Sequence, residues 1–331
     1  VDEVAVYPYS LSAAAVKRHF EAAATPASGA TSPTNAPRVG VESHWSTHSE
    51  ALGAGASAQV NLAGGNLTVT KPLPRSTGRG FDTELTLTYN SQDLSTHGDE
   101  LALGGVLGAG WTLGLASLAP GAGITSFTGV SLEPIRSTGT GLVLRDDDGT
   151  PHGFDAPAGG VYPAQAGTYL YVRNVNVTGE SPPSWAPSAV IAATRPDRVT
   201  FWYAAPGNTH LADGRLLGIS DRNGARMLMQ YQCVEVDDVT RDVSSLSDST
   251  CSSESPQSAY TLRNRLARIL DAENRELTLS YANEPAGGPN RNRDGRLTMV
   301  TDHAGVRHEL VYDRNGAIVT IAPRLQRLSE A

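Results

Sequence analysis

The last third of the chain carries one spacing three times over, and an internal repeat constrains a fold more than any single motif does. A Leu, an Asp five residues on, a Gly or Asn eight residues on and a Tyr fifteen residues on occur as Leu216, Asp221, Gly224 and Tyr231. They recur as Leu266, Asp271, Asn274 and Tyr281, and again as Leu297, Asp302, Gly305 and Tyr312. An Arg precedes each Leu, at Arg215, Arg265 and Arg296. A fourth unit opens at Tyr312-Asp313 with Gly316 in the turn and Ile318 in the Leu position. Leu297 to Ile318 is 21 residues, the bare period; the longer steps contain insertions at 232–262 and 283–293.

Each unit reads as a β-hairpin. The Asp side chain bonds the backbone ahead of it, and the Gly or Asn takes the left-handed conformation that closes a tight turn. In the third unit alternation places Leu297 with Met299 on one face, and Val306, His308, Leu310 and Tyr312 together after the turn. One hairpin cannot bury such a face alone, whereas stacked hairpins share a continuous core. Upstream, residues 57–118 read as short antiparallel strands with polar breaks. The run Thr83 to Tyr89 alternates strictly, so Leu85, Leu87 and Tyr89 are expected on a buried face and Glu84, Thr86 and Thr88 on a wet one. Gly108 and Gly110 let the backbone turn tightly before Trp111, whose ring suits a core anchor; an aromatic after glycines also suits a sugar-stacking platform. The expected class is all-β.

Three segments in order, Gly64 to Pro74 (GGNLTVTKPLP), Leu85 to Asp93 (LTLTYNSQD) and Gly105 to Leu115 (GVLGAGWTLGL), resemble the entry segment of bacterial RHS/YD-repeat proteins. The Arg-Leu, Asp-x-x-Gly, Tyr lattice resembles the YD repeat itself, so the likeness covers roughly residues 60–322. It implies stacked hairpins winding as a β-sheet spiral into a shell, which in toxin members encloses a C-terminal effector. It also implies a secreted or cell wall-associated protein. On that expectation the partners are the remainder of the protein's own chain and a C-terminal toxin domain. Asn274 departs from the usual Gly, three and a half units are too few to close a shell, and the family's self-cleaving core motif is absent, so no toxin or cleavage activity is assigned.

Val1 to Phe20 reads as a strand and a short helix and resembles the end of a laminin-G-like jelly roll. The opening without Met suggests a processed or excised piece. Five regions follow from this reading: the jelly-roll end at 1–22, a Pro/Ala/Ser linker at 23–56, a β-rich entry region at 57–210, repeats at 211–322 and a tail at 323–331. A cell-surface glycan is the alternative partner, motivated by the jelly-roll end and by Trp185 and Trp202, read as exposed.

Cys233 and Cys251 are the only cysteines and both lie in the first insertion. A mutual disulfide is the economical reading; it closes a loop of about 18 residues and contributes about 3 kcal/mol by loop entropy. His44, His48 and Glu50 lack a complete ligand set, and Asp146-Asp147-Asp148 reads as a solvated hairpin turn without the further ligands of a calcium loop. No nucleophile elbow, HExxH, Walker or dinucleotide motif occurs, so neither enzyme chemistry, a metal nor a cofactor is expected. With 26 Lys+Arg against 34 Asp+Glu the chain is acidic and lacks the basic stripe that nucleic acid requires. No apolar run reaches membrane-spanning length. Counting the 34 Gly and setting aside the 11 Tyr, the 39% hydrophobic content becomes roughly 46%, enough for a core.

Overall fold

The computed structural model describes residues 39–41, 46–62, 64–76, 81–93, 107–108, 110–116, 129–132, 134–138, 141–164, 169–187, 189–206, 214–236, 261–282, 296–313 and 318–324. The jelly-roll end at 1–22, most of the linker, Gly316, Cys251 and the bulk of both insertions lie outside them.

The described chain is nearly all β, in three antiparallel sheets whose strands follow chain order. The first holds β1 (Thr47–Gly53), β2 (Ala56–Asn61), β3 (Leu67–Ser76), β4 (Thr83–Asn90), β5 (Trp111–Leu115) and β6 (Val130–Ser131). A small second sheet holds β7 (Arg136–Thr138), β8 (Gly141–Arg145) and β9 (Pro151–Phe154). The third is an eleven-stranded meander. It begins with β10 (Val161–Tyr162), β11 (Tyr171–Asn174), β12 (Val190–Thr194) and β13 (Thr200–Ala204). It continues through β14 (Leu216–Ser220), β15 (Arg226–Val236), β16 (Thr261–Leu270), β17 (Glu276–Tyr281), β18 (Leu297–Thr301), β19 (Arg307–Tyr312) and β20 (Ile318–Arg324). A single helical turn, α1 (Val175–Thr178), follows β11.

One hydrophobic cluster runs through all three sheets, from Leu73 and Leu85 through Leu144 and Phe154 to Leu310 and Tyr312. The entry strands and the repeats therefore share a core. Ile135 donates its backbone N–H to the Gly214 carbonyl at 2.8 Å, tying the approach to the second sheet to the start of the first repeat. The boundary expected at 210/211 runs through the eleven-stranded sheet, because β10–β13 pair continuously into β14.

Two expectations are corrected. The linker drawn to residue 56 already contains β1, which pairs with β2 around Ala54 and Gly55, both at positive φ. Its alternation is weak because β1 is exposed along nearly its whole length, so no apolar face marks it. In β4 the second face is not wet: Thr86 and Thr88 are as buried as Leu85 and Leu87.

Candidate functional site

The repeat unit is built identically three times. Asp221 Oδ1 accepts the N–H groups of Asn223 and Ala225, both at 2.8 Å. Asp271 Oδ1 accepts those of Glu273 and Arg275, both at 2.9 Å. Asp302 Oδ1 accepts those of Ala304 and Val306, at 2.9 and 2.8 Å. The residue three beyond each Asp has positive φ: Gly224 at 84°, Asn274 at 60° and Gly305 at 81°. This is a type I turn closed by a left-handed residue. Asn fills the position in the second unit because its short polar side chain tolerates that region better than other L-residues do.

At the other end of each hairpin the Tyr reaches back to its own Leu. The hydroxyls of Tyr231, Tyr281 and Tyr312 donate to the carbonyls of Leu216, Leu266 and Leu297 at 2.8, 2.6 and 2.6 Å. Each Leu position is also where the ladder slips by one residue. Tyr203 faces Leu216, Tyr231 faces Leu266, Tyr281 faces Leu297 and Tyr312 faces Ile318, with Leu217, Ala267, Thr298 and Val319 left over. A bulge interrupts ladder bonding, and the phenol supplies a donor beside the interruption. The guanidinium of Arg215 stands 5.3 Å from the Tyr231 ring centroid and that of Arg296 5.5 Å from that of Tyr312. Burial pushes the phenols of Tyr231, Tyr281 and Tyr312 above their ordinary value, with Arg215, Arg265 and Arg296 pulling each partway back.

The bulge also changes the core pattern. Leu216 and Ile219, Leu266 and Ile269, and Leu297 and Val300 are the buried pairs, so Met299 does not share the face of Leu297 as strict alternation expects. The spacing of three across the bulge is present in the sequence as Leu/Ile-x-x-Ile/Val.

Sequence reasoning missed an abbreviated unit before the first repeat. The β12–β13 hairpin has the same turn, with Arg195 in the Asp position and Arg198 left-handed at φ 67°. Tyr203 occupies the Tyr place opposite Leu216. Its arm is two residues shorter, which is why a fixed lattice passes over it.

The entry residues meet in one network. Asn90, fully buried, accepts from Gly40 N at 2.8 Å, Asn66 Nδ2 at 2.9 Å and Thr68 Oγ1 at 3.1 Å, and donates through Nδ2 to the Asp148 carbonyl at 2.9 Å. Gly110 has φ 78°, and a Cβ there would lie 2.7 Å from the Tyr89 ring and 2.9 Å from the Asn90 carbonyl. Gly108, at φ 95°, accepts from Trp111 N at 3.3 Å. Trp111 is half-buried, packs against the main core and tilts onto Tyr89 at 5.4 Å, the core-anchor arrangement.

The acidic turn is not freely solvated: Asp146 is buried, and Asp147 and Asp148 are half-buried. Asp146 Oδ1 and Asp148 Oδ1 both accept from Thr150 N at 3.0 and 2.9 Å, and Asp148 also takes Thr150 Oγ1 at 2.6 Å and Val41 N at 2.7 Å. Asp146 Oδ2 accepts from His152 Nε2 at 3.1 Å, and both residues are buried. Burial lowers the His152 pKa to about 4, so the ring is neutral and is a donor here. Asp147 sits over Gly114 of β5 and Gly129 just before β6, where a Cβ would collide with it. Desolvation first, then the Asp148 carboxylate, raise its pKa to about 7. The carboxylates of Asp146 and Asp148 are thus engaged by protein donors. Among the described residues no three His, Cys, Asp or Glu are grouped to hold a metal ion.

Trp185 and Trp202 are half-buried rather than exposed. They pack edge to face at 6.3 Å, Trp202 Nε1 donates to Ser220 Oγ at 2.8 Å, and the Trp185 ring fills the space above Gly218. Cys233 lies on β15, while its expected partner Cys251 is outside the described residues. Asp313 follows Tyr312 at the end of β19, with its own turn outside the described residues. No described helix is long and apolar enough to cross a membrane. Neither the family models nor the curated proteins compared with this chain give a match.

Proposed function

We propose that the chain is a non-enzymatic structural segment of a large secreted or cell wall-associated RHS/YD-repeat protein. It builds part of a β-shell or spacer that encloses or presents a C-terminal effector. The observation that carries this reading is the threefold recurrence of the hairpin: the same Asp-bonded turn, a left-handed Gly or Asn at the same position and the same Tyr-to-Leu bond across fifteen residues. A device repeated so closely serves the continuation of a sheet, since each unit's Tyr also pairs with the next unit's Leu. The carboxylates that the sequence repeats every unit each accept two backbone amides of a turn, which supports a structural part for them.

The test is the intact mass of the natural protein, recovered from culture medium and cell wall and detected with an antibody to this segment. A mass far above 34.8 kDa is expected. A secreted species near 34.8 kDa, acting alone, would overturn the reading.

A further inference from the structure

We infer that the acidic turn at residues 146–150 is a pH-operated clasp, which closes over the segment 39–41 while Asp147 is neutral and lets that segment go when Asp147 is ionised. The segment precedes β1 and is not part of a strand. Val39 is nonetheless fully buried, and side chains hold the backbone that follows it. Gly40 N donates to Asn90 Oδ1 at 2.8 Å and Val41 N to Asp148 Oδ2 at 2.7 Å. A Cβ on Gly40 would lie 1.9 Å from Thr150 Oγ1 and 2.8 Å from Thr150 N, and one on Gly149 would lie 3.6 Å from the Val39 side chain. Segment and turn are therefore in direct contact.

The turn is fastened to the first sheet through its own backbone. The Asp147 carbonyl accepts from Thr88 Oγ1 at 3.3 Å and the Asp148 carbonyl from Asn90 Nδ2 at 2.9 Å. Asn90 thus bonds both the held segment and the turn that holds it. Between these fastenings Asp147 fills a slot made by two glycines. A Cβ on Gly114 would lie 2.6 Å from its Cα and carbonyl oxygen, and one on Gly129 would lie 2.4 Å from its Oδ1.

The slot favours the neutral acid. The charged groups that act on Asp147 are two more carboxylates, Asp148 beside it on the turn and Glu84 on β4. The basic groups nearby face elsewhere: Arg145 Nη1 donates to the Gly149 carbonyl at 2.8 Å and stands 3.5 Å from Asp93, while His152 bonds Asp146. Arg75 is 3.8 Å from Glu84. An ionised Asp147 gains water and distance from both carboxylates by leaving the slot. Because Gly114 touches its main chain, it leaves only if residues 147–149 lift, which breaks the Thr88 and Asn90 bonds and draws Asp148 away from Val41.

The sign follows from linkage. With the pKa raised from 3.8 to about 7 by burial and then by Asp148, closure is fully favoured below about 3.8 and loses that support as pH rises to about 7. His152 and Asp146 flank the lifting residues and keep their bond, so this local opening lacks the opposing histidine slope of complete unfolding. The clasp is independent of the shell reading.

The test is amide hydrogen exchange of the whole chain at pH 5 to 7.5, with rates divided by the intrinsic rate at each pH. Protection of Gly40 and Val41 is expected to fall at least about tenfold over that range, while the amides of β14–β19 stay within about threefold. Asp147→Asn and Asp147→Ala, which cannot ionise, are expected to hold the protection of Gly40 and Val41 constant within about twofold. At pH 8 trypsin should cut the Arg38–Val39 bond at least about fivefold faster in the parent than in either variant, since cleavage needs the segment free. Protection of Gly40 and Val41 that is flat with pH in the parent would overturn the proposal. So would the parent's pH dependence persisting in both variants, or exchange of the segment that tracks global unfolding in urea at every pH.

Discussion

The phenol-to-carbonyl bond is the part of the repeat most open to a quantitative test, and Tyr281→Phe is the cleanest change. It removes one oxygen from a side chain packed on the core and leaves the ring to fill its space. The lost bond, 2.6 Å to the Leu266 carbonyl, is worth about 1 kcal/mol net, and stranding a buried carbonyl beside a bulge adds desolvation, for a total of about 1–3 kcal/mol. At about 2.1 cal/mol/K of unfolding entropy per residue, a chain of 331 residues turns that into roughly 1–4 °C in melting temperature. Urea unfolding of the whole chain would measure it, with Tyr171→Phe as the exposed comparison, expected within about 0.5 kcal/mol of the parent. Tyr231→Phe and Tyr312→Phe are expected to cost similar amounts, because the three bonds have the same geometry. A loss below about 0.5 kcal/mol for Tyr281→Phe would refute the claim that the bond compensates for the bulge.

Three other outcomes follow from the geometry. Asn274→Gly should stabilise by a few tenths of a kcal/mol up to about 1, and Asn274→Val should destabilise by more than about 1, since φ is 60° there; denaturant midpoints decide both. Gly114→Ala should cost about 1–3 kcal/mol, because its Cβ would lie 2.6 Å from the Asp147 backbone, which cannot swing aside as a side chain can. The acidic turn should give two opposed pH slopes. Asp147, raised from 3.8 to about 7, stabilises fully below about 3.8 and loses that contribution as pH rises toward 7; His152, lowered from 6.5 to about 4, loses stability as pH falls from 6.5 to 4. Each slope is at most about 1.4 kcal/mol per pH unit, so between these values they largely cancel. Asp147→Asn should expose the histidine slope, with stability rising from pH 4 to 6.5. A pH profile for Asp147→Asn identical to the parent's would sink this account.

What the sequence makes legible is what lies close along the chain. Asp at one position and Gly or Asn three residues later define the turn by themselves, so all three turns stand where the spacing puts them. The burial of the acidic turn was illegible, because Asp-Asp-Asp-Gly has the composition of a solvent-facing loop. What buries it lies elsewhere: two glycines, Gly114 and Gly129, that make room, and the Asn90 carboxamide that holds the Asp148 carbonyl. The wet face expected on β4 failed for the same reason, since Thr88 Oγ1 donates to the Asp147 carbonyl. Tyr203 escaped because Arg195 and Arg198 stand where the lattice expects Asp and Gly.

The bulge is the most consequential thing that strict alternation hides. A residue inserted into one strand of a pair bends that strand and increases its right-handed twist. Here the inserted residue always follows the first apolar position of a unit and always lies opposite the Tyr of the preceding hairpin. The bulges fall on β14, β16, β18 and β20, at the same point of each successive hairpin. The Leu-x-x-Ile/Val spacing keeps both apolar residues in the core despite the extra residue, as Leu266 and Ile269 show at 0% and 1% exposure. The Tyr hydroxyl then secures the carbonyl beside the interruption. Arg, Leu, the second apolar residue, Asp, Gly or Asn and Tyr are thus parts of one device that takes up a bulge at the same point of every hairpin without losing the core.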